Sequence, residues 1–294
     1  YNLIFNYSFS LKSLLYLLRL TIFVSFFIFP PQTYIKNKIT KKFFFLTIMA
    51  NIGFSYLQYF FWPDSTIFKS LHWDPHLNRL IGTFFDPTFT ALIYLLFLIF
   101  LFFNSSLSNK TKTFLIIPTY LAISLSYSRS TMLTLLAVSA YTSKQLKKGH
   151  IFIFSLILIL ISLILLPKTT GEGTNLQRTS TILAKIRNYQ QAIHLFIKQP
   201  ILGHGYNFLP QAKQQSNYYQ PQSHSNSAFD SSLLTILTST GLVSFSLFLI
   251  AIIKEFKQDS LLKKNLYLAI FVHSLFANSM LYPWVIISLL FLST

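Results

Sequence analysis

Three short stretches of the chain carry side chains that could do chemistry. The first is SYSRSTML, residues 126–133, which sets Arg129 between two strongly apolar runs. A guanidinium at such a place is costly unless an anion meets it, and its planar fork suits a phosphate. The competing reading is an arginine that snorkels from the end of a span to the lipid head groups. The second stretch, residues 178–200, reads RTSTILAKIRNYQQAIHLFIKQP. Ile182, Ile186, Tyr189, Ile193, Phe196 and Ile197 fall there on one helical stripe, with Arg187, Gln191 and His194 beside it. That pattern predicts an amphipathic helix near 178–198 lying in a membrane interface, or else a plain connector whose arginine is solvated. The third is SHSNSAFDSSLL, residues 223–234, which places His224 just ahead of an apolar run. A histidine can take a proton from a hydroxyl in a transfer step, with Asn226 or Asp230 orienting the ring or a sugar. The competing reading is a polar loop entering a helix, with Ser or Asp as its N-cap.

Other chemistries find little support. There is no cysteine, so disulfides and cysteine metal sites are excluded. The chain contains no G-x-x-x-x-G-K-[ST], no D-x-D, no H-E-x-x-H and no G-x-S-x-G. HWDPH offers His72, Asp74 and His76, but Pro75 disfavours the helix that would align the two histidines, and no metal is expected there. No cofactor is expected either.

The elements that must position these residues read as membrane spans. Of 294 residues 52% are hydrophobic and 32 are phenylalanine, more apolar surface than a soluble core of this length needs. Spans are expected at about 12–30, 43–62, 86–104, 113–127, 130–143, 151–167, 232–253, 266–280 and 283–293. The first residue is Tyr1, which leaves open a fragment with further spans upstream. A net charge of +17 would suggest nucleic acid in a soluble protein. Here the lysines cluster in KNKITKK, NKTK, KQLKKGH and KEFKQDSLLKKN, and alternating the spans puts all four clusters on one side, the cytoplasmic one. The charge is a topology signal, and no nucleic-acid partner is expected. The outer face then receives residues 63–87, the turn at 127–130 and a long loop at 168–231. That face holds Arg79, Arg129, Arg178 and Arg187, while the whole chain has only seven Asp and Glu. An anionic ligand is the natural counterpart.

In order and spacing, RLIGTFFDPTFTALIYLL, LSYSRSTMLTLLA, KIRNYQQAIHLFIKQPILGHGYNF and HSNSAFDSSLLTILTSTGLVSFSLFLI resemble the O-antigen ligase and O-antigen polymerase superfamily over residues 79–292. The resemblance implies an all-α polytopic bundle, GT-C-like, of about nine spans in this chain, forming a single domain over 1–294 with the loop at 168–231. It also implies a bacterial inner-membrane enzyme with its active site on the periplasmic side. Such an enzyme moves a glycan from undecaprenyl diphosphate to a glycan, lipid or protein acceptor, without metal or cofactor and with inversion. By motif position, Arg129 and Arg187 would bind the diphosphate and His224 would activate the acceptor, with Arg79, Asn226 and Asp230 supporting them. This sequence departs from the pattern in three places, one of them a loop on the short side for a ligase. Tyr189 follows Arg187 by only two residues, and the usual His-Asn pair reads His224-Ser225-Asn226.

A reading of another class is a transporter of an anionic solute or lipid-linked substrate that uses Arg129 as its binding site. It should show polar residues through the depth of the bundle and pseudo-symmetric halves, and neither is visible. A scaffold for other assembly proteins would tolerate loss of Arg129 and His224.

Overall fold

The computed structural model describes residues 11–28, 38–71, 74–167, 172–219 and 226–293. These residues form eleven α-helices and no extended strand; one isolated bridge joins Asp64 and Leu77. The helices are α1 (Leu11–Ile28), α2 (Lys38–Phe61), α3 (Pro87–Phe103), α4 (Asn109–Leu125), α5 (Arg129–Leu146) and α6 (His150–Leu165). They continue as α7 (Ser180–Lys198), α8 (Leu209–Gln215), α9 (Ser232–Gln258), α10 (Leu261–Ser274) and α11 (Pro283–Leu292). Each stretch expected as a span overlaps a helix. Two segments, Ile39–Phe61 and Ser232–Lys257, are long and apolar enough to cross a bilayer. Only 22% and 17% of their apolar windows is buried within the chain, whereas the core helix of a soluble protein would be covered. Their outward faces are apolar, as lipid contact requires.

The helices divide between two compact units. The larger gathers segments within 32–178, 260–273 and 284–294. Its central helix is α3, whose Leu92, Tyr94, Leu95, Leu96 and Phe97 are all fully buried. α3 starts cleanly because Asp86 accepts hydrogen bonds from the amides of Thr88 (2.6 Å) and Phe89 (3.0 Å), with Pro87 in the first turn. Gln58, from α2, ties the approach to α3. Its Oε1 accepts from the Ile81 amide at 2.9 Å, and its Nε2 donates to the carbonyls of Trp62 (3.0 Å) and Arg79 (3.3 Å). α5 is capped by Ser128 and joined to α10 by buried polar contacts. Thr142 donates to Asn265 Oδ1 at 2.7 Å, and His273 Nε2 lies 3.2 Å from the hydroxyls of both Ser130 and Thr131.

The smaller unit gathers segments within 1–31, 179–259 and 274–283. Its core is Ala192, Leu195, Leu209, Ala212 and Phe229. α7 therefore buries Ala192 and Leu195 and not the isoleucine stripe, because the short Ala192 lets α9 approach closely enough for Thr238 to donate to the Ala192 carbonyl at 3.3 Å. Ile182, Ile186, Ile193 and Ile197 stay exposed, an apolar face suited to a bilayer interface. α9 breaks at Gly241 (φ 71°, ψ −179°), and the carbonyls freed by that break are taken by the loop at 200–205. His204 and Gly205 donate to Thr238 (3.0 Å) and Ser239 (2.7 Å), while Leu242 donates to Pro200 at 2.8 Å. A Cβ on Gly241 would lie 2.1 Å from the Ile201 carbonyl oxygen, so only glycine permits this approach.

Candidate functional site

In the larger unit three arginines meet around residues 173–178. Arg79 is buried, its Nε donating to the Ser126 carbonyl at 2.9 Å. A Cβ on Gly173 would lie 2.8 Å from Arg79 Cδ, so glycine at 173 lets the loop lie over that side chain without displacing it. Arg178 donates back to the carbonyls of Gly173 (2.6 Å) and Asn175 (3.0 Å). Arg129 opens α5 half-buried and donates to the carbonyls of Leu176 (3.2 Å) and Arg178 (2.9 Å). The turn that presents it is set by Tyr127 at φ 52°, whose hydroxyl donates to the Pro167 carbonyl at 2.7 Å. Burial lowers the Arg79 pKa to about 10, and the positive charges of Arg178 and Arg129 add to that shift while Asp86 opposes it. The same field reaches His76, whose pKa falls to about 4, first through burial and then through Arg79. A positive field of this kind is what an anion would stabilise.

Arg187 belongs to the smaller unit, exposed on α7. Its neighbours are pinned. Tyr189 donates to the Leu275 carbonyl at 2.5 Å, Lys185 donates to the Phe276 carbonyl, and Asn188 Oδ1 accepts from the Asp230 amide at 2.8 Å. Asp230 lies 3.9 Å from Lys185 Nζ, a partly exposed pair that contributes little to stability. The N-cap of α9 is Ser231, not Asp230. Asn226 is buried, and His224 lies outside the described residues. Arg79 and Arg129 thus share one unit, while Arg187, Asn226 and Asp230 share the other.

Sequence reasoning passed over Lys213, which is 1% exposed. Its ammonium donates to the Ala228 carbonyl at 2.9 Å and stands 4.1 Å over the Phe229 ring, so it fastens the chain between Asn226 and α9. Burial lowers its pKa to about 8. The signal was its spacing, four residues after Leu209 and one after Ala212 on the face that α8 buries. Among the described residues no three His, Asp or Glu side chains gather as a metal site would need.

No curated protein and no solved structure matches the chain. Residues 113–249, which carry Arg129, Arg178, Arg187, Gly203 and Gly241, match the family model described as O-antigen ligase, and over that stretch the chain is similar to that family.

Proposed function

We propose that the chain is a glycosyltransferase that moves a glycan from undecaprenyl diphosphate to an acceptor hydroxyl during assembly of cell-surface polysaccharide. It works as a multi-pass protein of the bacterial inner membrane with its site on the periplasmic side. The family assignment supports glycosyl transfer in polysaccharide biosynthesis. The observation that carries the finer reading is the grouping of Arg79, Arg129 and Arg178 around residues 173–178, where the charges of Arg178 and Arg129 act on Arg79.

His224 removes the proton from the acceptor hydroxyl as its oxygen attacks the anomeric carbon from the face opposite the carrier. The bond between that carbon and the diphosphate oxygen breaks, and the electron pair leaves with undecaprenyl diphosphate. A single displacement of this kind inverts configuration. Arg129 and Arg187 bind the diphosphate, and because negative charge grows there during bond cleavage they bind the transition state more strongly than the ground state. Arg79 and Arg178 hold the backbone that positions Arg129. The donor is already activated, so neither nucleotide nor metal is needed.

The experiment is transfer in vitro from synthetic undecaprenyl-diphosphate sugars to candidate acceptors. Arg129→Ala, Arg187→Ala and His224→Ala should each lose about a hundredfold in rate, roughly 3 kcal/mol of transition-state stabilisation. Transfer at wild-type rate in all three variants would remove the proposed site, and arrest by a chelator would remove the metal-free mechanism.

A further inference from the structure

His273 takes no part in the mechanism above, yet it is fully buried on α10, a helix otherwise rich in apolar residues. An ionisable side chain enclosed within a span is costly, and its partners show what it is kept for. Its Nε2 lies 3.2 Å from the hydroxyls of both Ser130 and Thr131. Those two hydroxyls also meet the Ser128 hydroxyl, at 3.1 Å and 2.9 Å. Ser128 in turn caps α5, accepting from the Thr131 amide at 3.4 Å. One imidazole and three hydroxyls, all from residues that flank Arg129 in the chain, thus form a single cluster at the first turn of α5. An imidazole nitrogen donates or accepts according to its tautomer, so Nε2 can satisfy these hydroxyls without carrying charge.

The Arg129 guanidinium reaches elsewhere, to the carbonyls of Leu176 and Arg178. Successive residues of an α-helix are turned by about 100°, so a contact shared by residues 130 and 131 falls close to opposite the direction of residue 129. A grip on that far side fixes the rotation of the turn about the helix axis, and with it the aim of Arg129. The turn needs such a grip, because Tyr127 just ahead of it is held at φ 52°, a left-handed conformation that a bulky side chain disfavours. The helix that brings the imidazole is itself fixed against α5 a second time, where Thr142 donates to Asn265 Oδ1 at 2.7 Å.

We infer that His273 is a positioning residue for donor binding, holding the first turn of α5 so that Arg129 faces the diphosphate. Being fully enclosed, it touches no substrate itself. The inference rests on the reading of Arg129 as a diphosphate ligand, and it adds a residue of a second helix through which that ligand is aimed.

The test measures the affinity of the full chain, in lipid nanodiscs, for undecaprenyl diphosphate. His273→Leu, apolar and suited to a span, should weaken it about fivefold, a modest loss because hydrogen bonds between helices in a bilayer are individually weak. His273→Gln, whose carboxamide also donates and accepts, should bind within about twofold of wild type. In an Arg129→Ala background His273→Leu should weaken binding no further, since positioning acts through Arg129, whereas a general loss of structure would add to the defect. A chain carrying both Ser130→Ala and Thr131→Val removes the same contacts from the other side, and it carries the expectation of His273→Leu should that variant fail to fold. Wild-type affinity in His273→Leu beside a loss in Arg129→Ala would overturn the inference and leave the donor reading standing. An added loss in the Arg129→Ala background, or no restoration by glutamine, would do the same. Wild-type affinity in Arg129→Ala would instead remove the donor reading, and the inference with it.

Discussion

Arg79 and Arg129 are both arginines of one cluster, yet burial separates their tasks. Arg79 is 7% exposed and spends its Nε on the Ser126 carbonyl, which suits a residue that holds backbone. Arg129 is half-buried at the first turn of α5, where a ligand can reach it. Arg129→Lys keeps the charge but loses the planar fork, so transfer should fall tenfold or more, short of the loss in Arg129→Ala; equal rates in Arg129→Lys and wild type would contradict a bidentate role. His76 yields a pH prediction. Its folded pKa of about 4 lies below its ordinary 6.5, so between those values the unfolded chain binds the extra proton. Its contribution to stability is therefore complete above about pH 6.5 and is lost as pH falls towards 4. Melting temperatures measured between pH 7 and 4.5 should drop more steeply for wild type than for His76→Gln, and superimposable curves would contradict the assignment. The exceptional environment of Arg129 was legible in the sequence because the apolar runs on both sides declare it. That of Lys213 was not, because its burial depends on Phe229 and Ala228 arriving from another segment.

Helices were legible as elements because continuous apolar runs of this length leave the backbone few alternatives to satisfying itself. Their interruptions were not legible. The sequence suggests a span through 266–280, yet α10 ends at Ser274. The chain can leave the helix there because serines at the start of α9 take over the backbone groups. Ser231 donates to the Ser274 carbonyl at 2.9 Å, Ser232 donates to the Ala277 carbonyl at 3.3 Å, and the Met280 amide donates to Ser232 at 2.9 Å. Likewise Gly203 and Gly205 make a tight turn whose purpose is visible only beside the break at Gly241. A Cβ on Gly203 would meet the Gly241 amide nitrogen at 2.5 Å. Gly203→Ala and Gly241→Ala should each destabilise the protein by about 3 kcal/mol, read as a large fall in melting temperature. Gly53→Ala, where a Cβ would meet nothing within 4 Å, should be close to neutral. A neutral Gly241→Ala would mean that the loop and α9 are not joined in this way.

For the whole molecule, the proposed topology threads the chain through a bilayer with its lysine clusters in the cytoplasm, in keeping with the distribution of lysine and the apolar outer faces of α2 and α9. The lack of native cysteine makes this easy to check. In intact cells, Ser70→Cys and Ser216→Cys should react with an impermeant thiol reagent, whereas Ser108→Cys and Lys148→Cys should react only after permeabilisation; the opposite pattern would invert the topology. The account's central claim is that Arg129 and Arg187 recognise the lipid-linked diphosphate. It is tested most directly by measuring the affinity of the purified chain for undecaprenyl diphosphate itself, the leaving group. Affinity should weaken about tenfold or more in Arg129→Ala and in Arg187→Ala, and should fall as salt rises in wild type. Undiminished binding in both variants would contradict the account.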